Sequence, residues 1–322
     1  MKLPVNRRDV LTFLAGAGTT AIIGGVGAEF IHDPDWIEVT PDEDQFEIRD
    51  SARGFIYQDK LWLCGGYMVG NVPRRDLLSS DDGINWTMVN PSTPFAAYSP
   101  ITAHEGKMVA TYPTVMTSVD GVMWQEHECT GDLPPLGSEK PILSFNGKLV
   151  LLTDKGNFIL AGNTWKRVSS PFENRLAFRS VVHGGRIIVV GGALKIPNKV
   201  PERGYDKMTS LNEVWASDDP ENPKSWERLA ANAEWRDRMW PGFVSHEGWL
   251  YIIGGYVNQI GENVGNIWRS KDGGMWERVP TKHRPPARHA PTVFSHSGKI
   301  ILLAGNTNAG TSVQNDIWIM YI

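Results

Sequence analysis

Six times along the chain a turn built on Gly or Asp opens a run of apolar residues. The six are QDKLWLCGG (58–66), EGKMVATY (105–112), NGKLVLLTD (146–154), GGRIIVVGG (184–192), EGWLYIIGG (247–255) and SGKIILLAG (297–305). Before each turn lies a shorter stretch such as RSVVH (179–183) or PTVFSH (291–296), with strand-like β-branched residues. After each run comes a second signal, a tight turn followed by Trp and an alternating stretch: SSDDGINWTMV (79–89), SVDGVMWQEH (118–127), SKDGGMWERV (270–279), the longer SDDPENPKSWERL (217–229) and the reduced AGNTWKRV (161–168). Asp bonds the amides of its own turn, Gly supplies a positive φ, and Trp covers its neighbours. Each unit therefore reads as strand, turn, strand, loop, strand, turn, strand, a four-stranded antiparallel meander.

Trp86, Trp124, Trp165, Trp226 and Trp276 mark the fourth strands of five units. The sixth unit ends the chain with three strands. Near the other end, DWIEV (35–39) is a strand with a Trp and no local partner, and a lone strand exposes both edges. Placing it beside the last unit supplies the missing fourth strand and closes a ring. The predicted fold is all-β, a six-bladed β-propeller over residues 29–322 with about 50 residues per blade. The 13 Trp and 33 Gly among 322 residues agree with an all-β repeat.

Residues 5–28 differ from the rest. Arg7 and Arg8 precede an apolar run from Val10 to about Gly25, too short and too rich in Gly and Ala for a membrane span. Small residues at Val26-Gly27-Ala28 suit signal peptidase, with cleavage after Ala28. NRRDVLTFL resembles the twin-arginine export signal, with Asn where Ser or Thr is usual. The resemblance implies that residues 1–28 are a signal peptide, and that the protein is exported folded to a periplasmic or secreted location without a stable membrane anchor.

A net charge of −4 argues against nucleic acid as a partner. Two cysteines, Cys64 and Cys129, are too few for a disulfide scaffold or a Cys-rich metal site, and whether they pair is left open. Four histidines, His104, His183, His246 and His296, share one register, two residues before the turn Gly. Tyr57 and Phe145 fill that register in the other units, so the position selects a flat ring and no metal is expected. No cofactor is expected either.

The Gly pairs Gly65-Gly66, Gly191-Gly192 and Gly254-Gly255, with NEVW (212–215) and NIW (266–268), resemble kelch repeats. The pattern over the mature chain is similar to exported bacterial kelch-like proteins grouped with the galactose oxidase central domain. Units 2 and 3 depart from it, with ATY and LTD in place of the Gly pair. The loops after these two units nearly vanish, whereas that of unit 4, ALKIPNKVPERGYDKMTSL (193–211), is long and basic, so an open notch over blades 2 and 3 is expected.

The heads of the innermost strands carry Arg53, Tyr98, Lys140, Arg175, Arg179, Arg238, Trp240, Arg288 and His289. Cations gathered at a channel mouth favour an anion, Arg grips a carboxylate through two parallel bonds, and Trp240 and Tyr98 can stack on a sugar. The expected ligand-binding set is Arg53, Tyr98, Lys140, Arg179, Arg238, Trp240, Arg288 and His289, although an Arg at this position can instead brace neighbouring blades. The resemblance to periplasmic kelch-type sialic acid mutarotases implies a small acidic carbohydrate as ligand and, if the protein is an enzyme, an acid and a base across the sugar ring. Glu139, Asp154, Glu202 and Asp206 are the candidate carboxylates. A non-enzymatic propeller that holds another exported protein or a polymer is the alternative. A copper radical oxidase is disfavoured by the missing Tyr-His dipeptide and flanking domains. A sialidase is disfavoured because SSDDGINW is a turn motif without catalytic groups.

Overall fold

The computed structural model describes residues 35–322 except 42, 44, 71, 136–139, 197–207 and 309–312. The expected export signal and cleavage point, within residues 1–28, lie outside the described residues. Each apolar run becomes the second strand of a four-stranded sheet. The sheets are Arg53–Tyr57, Lys60–Cys64, Leu77–Ser80 and Thr87–Asn90 in blade 1, and Ile101–His104, Lys107–Ala110, Val115–Ser118 and Gln125–His127 in blade 2. Blade 3 is built from Ile142–Phe145, Lys148–Thr153, Gly156–Ala161 and Thr164–Val168, and blade 4 from Arg179–His183, Arg186–Val190, Val214–Ser217 and Glu227–Ala230. Blade 5 comprises Gly242–His246, Trp249–Ile253, Ile267–Ser270 and Glu277–Arg278. Blade 6 comprises Thr292–His296, Lys299–Leu303, Ile317–Tyr321 and, from the far end of the chain, Asp35–Glu38. The innermost strands touch in ring order, blade 6 against blade 1 included.

The DWIEV strand lies where the sequence places it. Asp35–Glu38 runs antiparallel to Ile317–Tyr321, with Trp36 opposite Met320. Trp36 is 2% exposed and packs in the core between blades 5 and 6 with Tyr251, Ile253 and Ile300. The Asp35 carboxylate accepts hydrogen bonds from the His283 backbone N–H at 2.7 Å and from its ring at 2.9 Å, which ties the strand to the crossing between those blades.

Two details differ from the pattern. Four of the five Trp markers stand just before the outer strand, and only Trp165 lies within it. For three of the four the reason is the turn: the indole N–H of Trp86, Trp124 and Trp276 donates to the carbonyl of Gly83, Gly121 and Gly273, so the ring caps its own turn. In addition, blade 3 gains a fifth strand, Thr130–Gly131, paired in parallel with Thr164–Val168.

Three of the four histidines join blades. His104 pairs with Ser144 of blade 3 at 2.9 Å, His183 with Ser245 of blade 5 at 2.9 Å, and His246 with Ser295 of blade 6 at 2.8 Å. The partner is always the residue before the flat ring of the next blade. Phe145 faces a blade whose corresponding residue is Val182, and there the histidine is replaced by an apolar ring. Burial pushes the His246 pKa down and so favours the neutral ring.

If the N-terminal strand is integral to blade 6, Trp36→Ala costs about 3–5 kcal/mol in urea unfolding of the mature protein. A loss below about 1 kcal/mol would show that the ring does not need this strand.

Candidate functional site

The heads of the innermost strands and the loops after the second strands share one face. On this face the arginines divide into two kinds. Arg49, Arg175, Arg238 and Arg288 are buried. Each donates from Nη1 to the carbonyl of a residue 16 positions later: Gly65, Gly191, Gly254 and Ala304. Each also grips the residue just before the third strand of its own blade. Arg49 bonds both oxygens of Asp76 at 2.8 Å, and Arg288 bonds those of Asp316 at 2.6 and 2.7 Å. Arg175 bonds Glu213, and Arg238 bonds Asn266 Oδ1 at 2.9 Å.

The backbone of the same arginines binds the preceding blade. The carbonyls of Arg238, Arg288 and Arg49 accept from the N–H groups of Gly192, Gly255 and Gly305 at 2.8–2.9 Å. This approach explains the Gly pairs of blades 4 and 5. A Cβ on Gly191, where φ is +61°, would stand 2.6 Å from the Arg238 carbonyl, and one on Gly254 would stand 2.5 Å from that of Arg288.

Two residues beyond each brace the backbone turns into the left-handed region, at Ser51, Ala177, Trp240 and Ala290. These positions bond one another around the mouth: Trp240 N–H to Ala177 O at 2.9 Å, Ala290 N–H to Trp240 O at 2.8 Å, and Ser51 N–H to Ala290 O at 3.1 Å. A Trp at φ +50° is strained by about 1–2 kcal/mol and persists only where its surroundings fix it.

Arg238 and Arg288 were expected to meet the ligand. They do not line the channel, because their guanidinium groups are spent on carbonyls and on Asn266 or Asp316. His289 is likewise buried in the rim, bonded to Asn263 Oδ1 at 2.7 Å. Trp240 lies beside it with ring centroids 5.4 Å apart, and Tyr98 stacks on Tyr67 at 4.4 Å. Sequence reading missed Arg49, although its constant spacing of 16 to the glycine was a usable signal. In blades 2 and 3 that spacing from Tyr112 and Thr153 falls on Ala96 and Gly137 instead.

The other cations converge. Arg53 of blade 1, Lys140 at the head of blade 3 and Arg179 of blade 4 line one central cavity of about 140 Å³, together with Ser180 and Thr292. Its lining contains no acidic side chain among the described residues. The Ser180 hydroxyl is buried there and has no hydrogen-bond partner among them. Lys140 also lines a larger groove of about 370 Å³ on the same face between blades 2 and 3. Its ammonium is 3.3 Å from the Pro135 carbonyl and 3.8 Å from Asp154. Burial pushes the Lys140 pKa down, and Asp154 opposes that shift. Asp154 is thus the one carboxylate candidate beside the cavity that the structure describes; Glu139, Glu202 and Asp206 lie outside the described residues. Cys64 and Cys129 are both free, and burial pushes the Cys64 thiol up to about 12.

The family model for the DUF6242 beta propeller domain matches residues 35–321, the same span that forms the six sheets. The chain belongs to the DUF6242 β-propeller family. No curated protein matches the sequence. Among solved structures, that of YjhT is similar over 87% of this chain and 96% of its own, with a TM-score of 0.63 and 11% identity. At that identity the likeness is one of fold. For this DUF6242 propeller the site therefore rests on its own residues: a cationic cavity at the channel mouth, joined through Lys140 to a groove.

The two kinds of arginine are separable by experiment. Arg288→Ala leaves Asp316 without its partner and costs about 3–5 kcal/mol of stability in urea unfolding. A loss below about 1 kcal/mol would contradict the bracing role.

Proposed function

We propose that this protein is an exported kelch-type propeller that binds a small acidic carbohydrate at the mouth of its channel. The observation that carries this reading is the convergence of Arg53, Lys140 and Arg179, from three separate blades, on one cavity without a carboxylate in its described lining. Cations gathered at one cavity favour an anion, and Arg is suited to bidentate contact with a carboxylate. The unpartnered Ser180 hydroxyl adds a neutral hydrogen-bonding group at the same place. The flat rings of Tyr98 and Trp240 on the rim suit the faces of a pyranose.

Interconversion of sugar anomers is the reaction that fits this reading best. It needs a proton donor and a proton acceptor near the ring oxygen and the anomeric hydroxyl. Lys140 and Asp154, 3.8 Å apart, are the described pair beside the cavity that can exchange a proton. Export by the twin-arginine route places this activity in the periplasm or outside the cell.

Calorimetric titration of the mature protein with glucuronate, galacturonate and sialic acid, against glucose and galactose, tests the reading. At least one acid binds, the neutral sugars bind more weakly, and Arg179→Ala weakens the acid ten- to hundredfold, the loss of one charge-assisted contact worth about 1.5–3 kcal/mol. If no acid binds at millimolar concentration, the reading gives way to a protein- or polymer-binding scaffold.

A further inference from the structure

The groove between blades 2 and 3 differs chemically from the cavity it adjoins. Pro113, Val115, Leu133, Pro134, Leu151 and Trp165 give it largely apolar walls. Leu133 is 61% exposed, which is unusual for a leucine on a cavity wall. The groove also has a charge direction. Lys140 stands at its inner end, shared with the central cavity, while Glu126 and Glu128 line it beside the outer strand of blade 2. An anion is therefore attracted inward and repelled outward. The polar side chain of His127 is already bonded to Thr117 Oγ1 at 2.8 Å, leaving the walls to apolar contact. A volume of about 370 Å³ lies within the range of small-molecule sites.

We propose that this groove takes an apolar arm, aliphatic or aromatic, of a ligand whose carboxylate sits at Lys140. The proposal rests on the anion-binding reading through Lys140 alone, because that residue is common to both compartments. It narrows the ligand class from acidic sugars in general to acids carrying an acyl, alkyl or aryl substituent. A bare polyol leaves the groove to water, whereas an apolar arm displaces that water from apolar walls.

The simplest probes of head and arm are butanoate, hexanoate and octanoate, titrated calorimetrically into the mature protein with glucuronate as the probe of the central cavity. Affinity rises about fourfold per methylene, equivalent to about 0.8 kcal/mol each. Methyl octanoate binds at least tenfold more weakly than octanoate. Lys140→Gln weakens all three acids about tenfold and preserves the chain-length slope. Leu133→Glu flattens that slope and leaves glucuronate affinity unchanged. Because Leu133 is exposed, the variant keeps the wild-type melting temperature. Thr114→Glu, also exposed, repeats the test from the blade 2 wall. Equal affinities for butanoate and octanoate, or a slope that survives both substitutions, would overturn the proposal. If glucuronate still binds in that case, the groove assignment fails and the acidic-sugar reading stands. A slope abolished by Leu133→Glu without any binding of acidic sugars supports the groove and removes the sugar.

Discussion

The buried arginine that spans the head of one strand, a glycine-pair carbonyl and the acid before the third strand sets the geometry of this face. Its cost is high, since a guanidinium and a carboxylate both leave water, and the ion pair alone returns little net stability. What it fixes is position. The side chain ties together three segments of its own blade, while its backbone carbonyl accepts from the glycine of the blade before. Gly191 and Gly254 follow from this contact, because a Cβ there would meet that carbonyl. The strained Trp240, two residues beyond Arg238, follows as well. One interaction thus accounts for the glycines of blades 4 and 5 and for the junctions of those blades with the next.

Blades 2 and 3 carry neither the arginine nor the glycine pair. The head of blade 3 presents Lys140 to the channel. The site lies where the brace is missing: the groove opens between these two blades, and Lys140 joins it to the central cavity. Rigid walls on the braced side face an adaptable side, a division suited to holding a ligand.

The fold was legible because its signals are local and repeated. Each apolar run is read through side-chain alternation and its turn residues, and the orphan strand at Trp36 has one place to go once five complete units are counted. The site was legible only in part, for a physical reason. A cation at the head of a strand carries the same sequence signature whether it turns inward to a carbonyl or outward to the channel. Arg179 and Arg238 both begin an innermost segment, and what separates them is a partner 16 or 28 residues away in the chain. The spacing to the glycine distinguishes the brace, and reading it would have removed Arg238 and Arg288 from the candidate set and added Arg49. The histidine register shows the same logic: its meaning lies in the serine of the next blade, not in the histidines themselves. The parallel strand at Thr130–Gly131 had no signal, since two residues of Thr and Gly carry no periodicity.

The account rests on the claim that buried arginines hold the blades while Arg53, Lys140 and Arg179 gather at the central cavity. Crystals of the mature protein soaked in bromide, with anomalous scattering used to place the ions, test this most directly. The account predicts a bromide in the central cavity within contact distance of at least two of those three side chains, and none at Arg49, Arg175, Arg238 or Arg288. Bromide at the brace arginines, with none in the cavity, would contradict it.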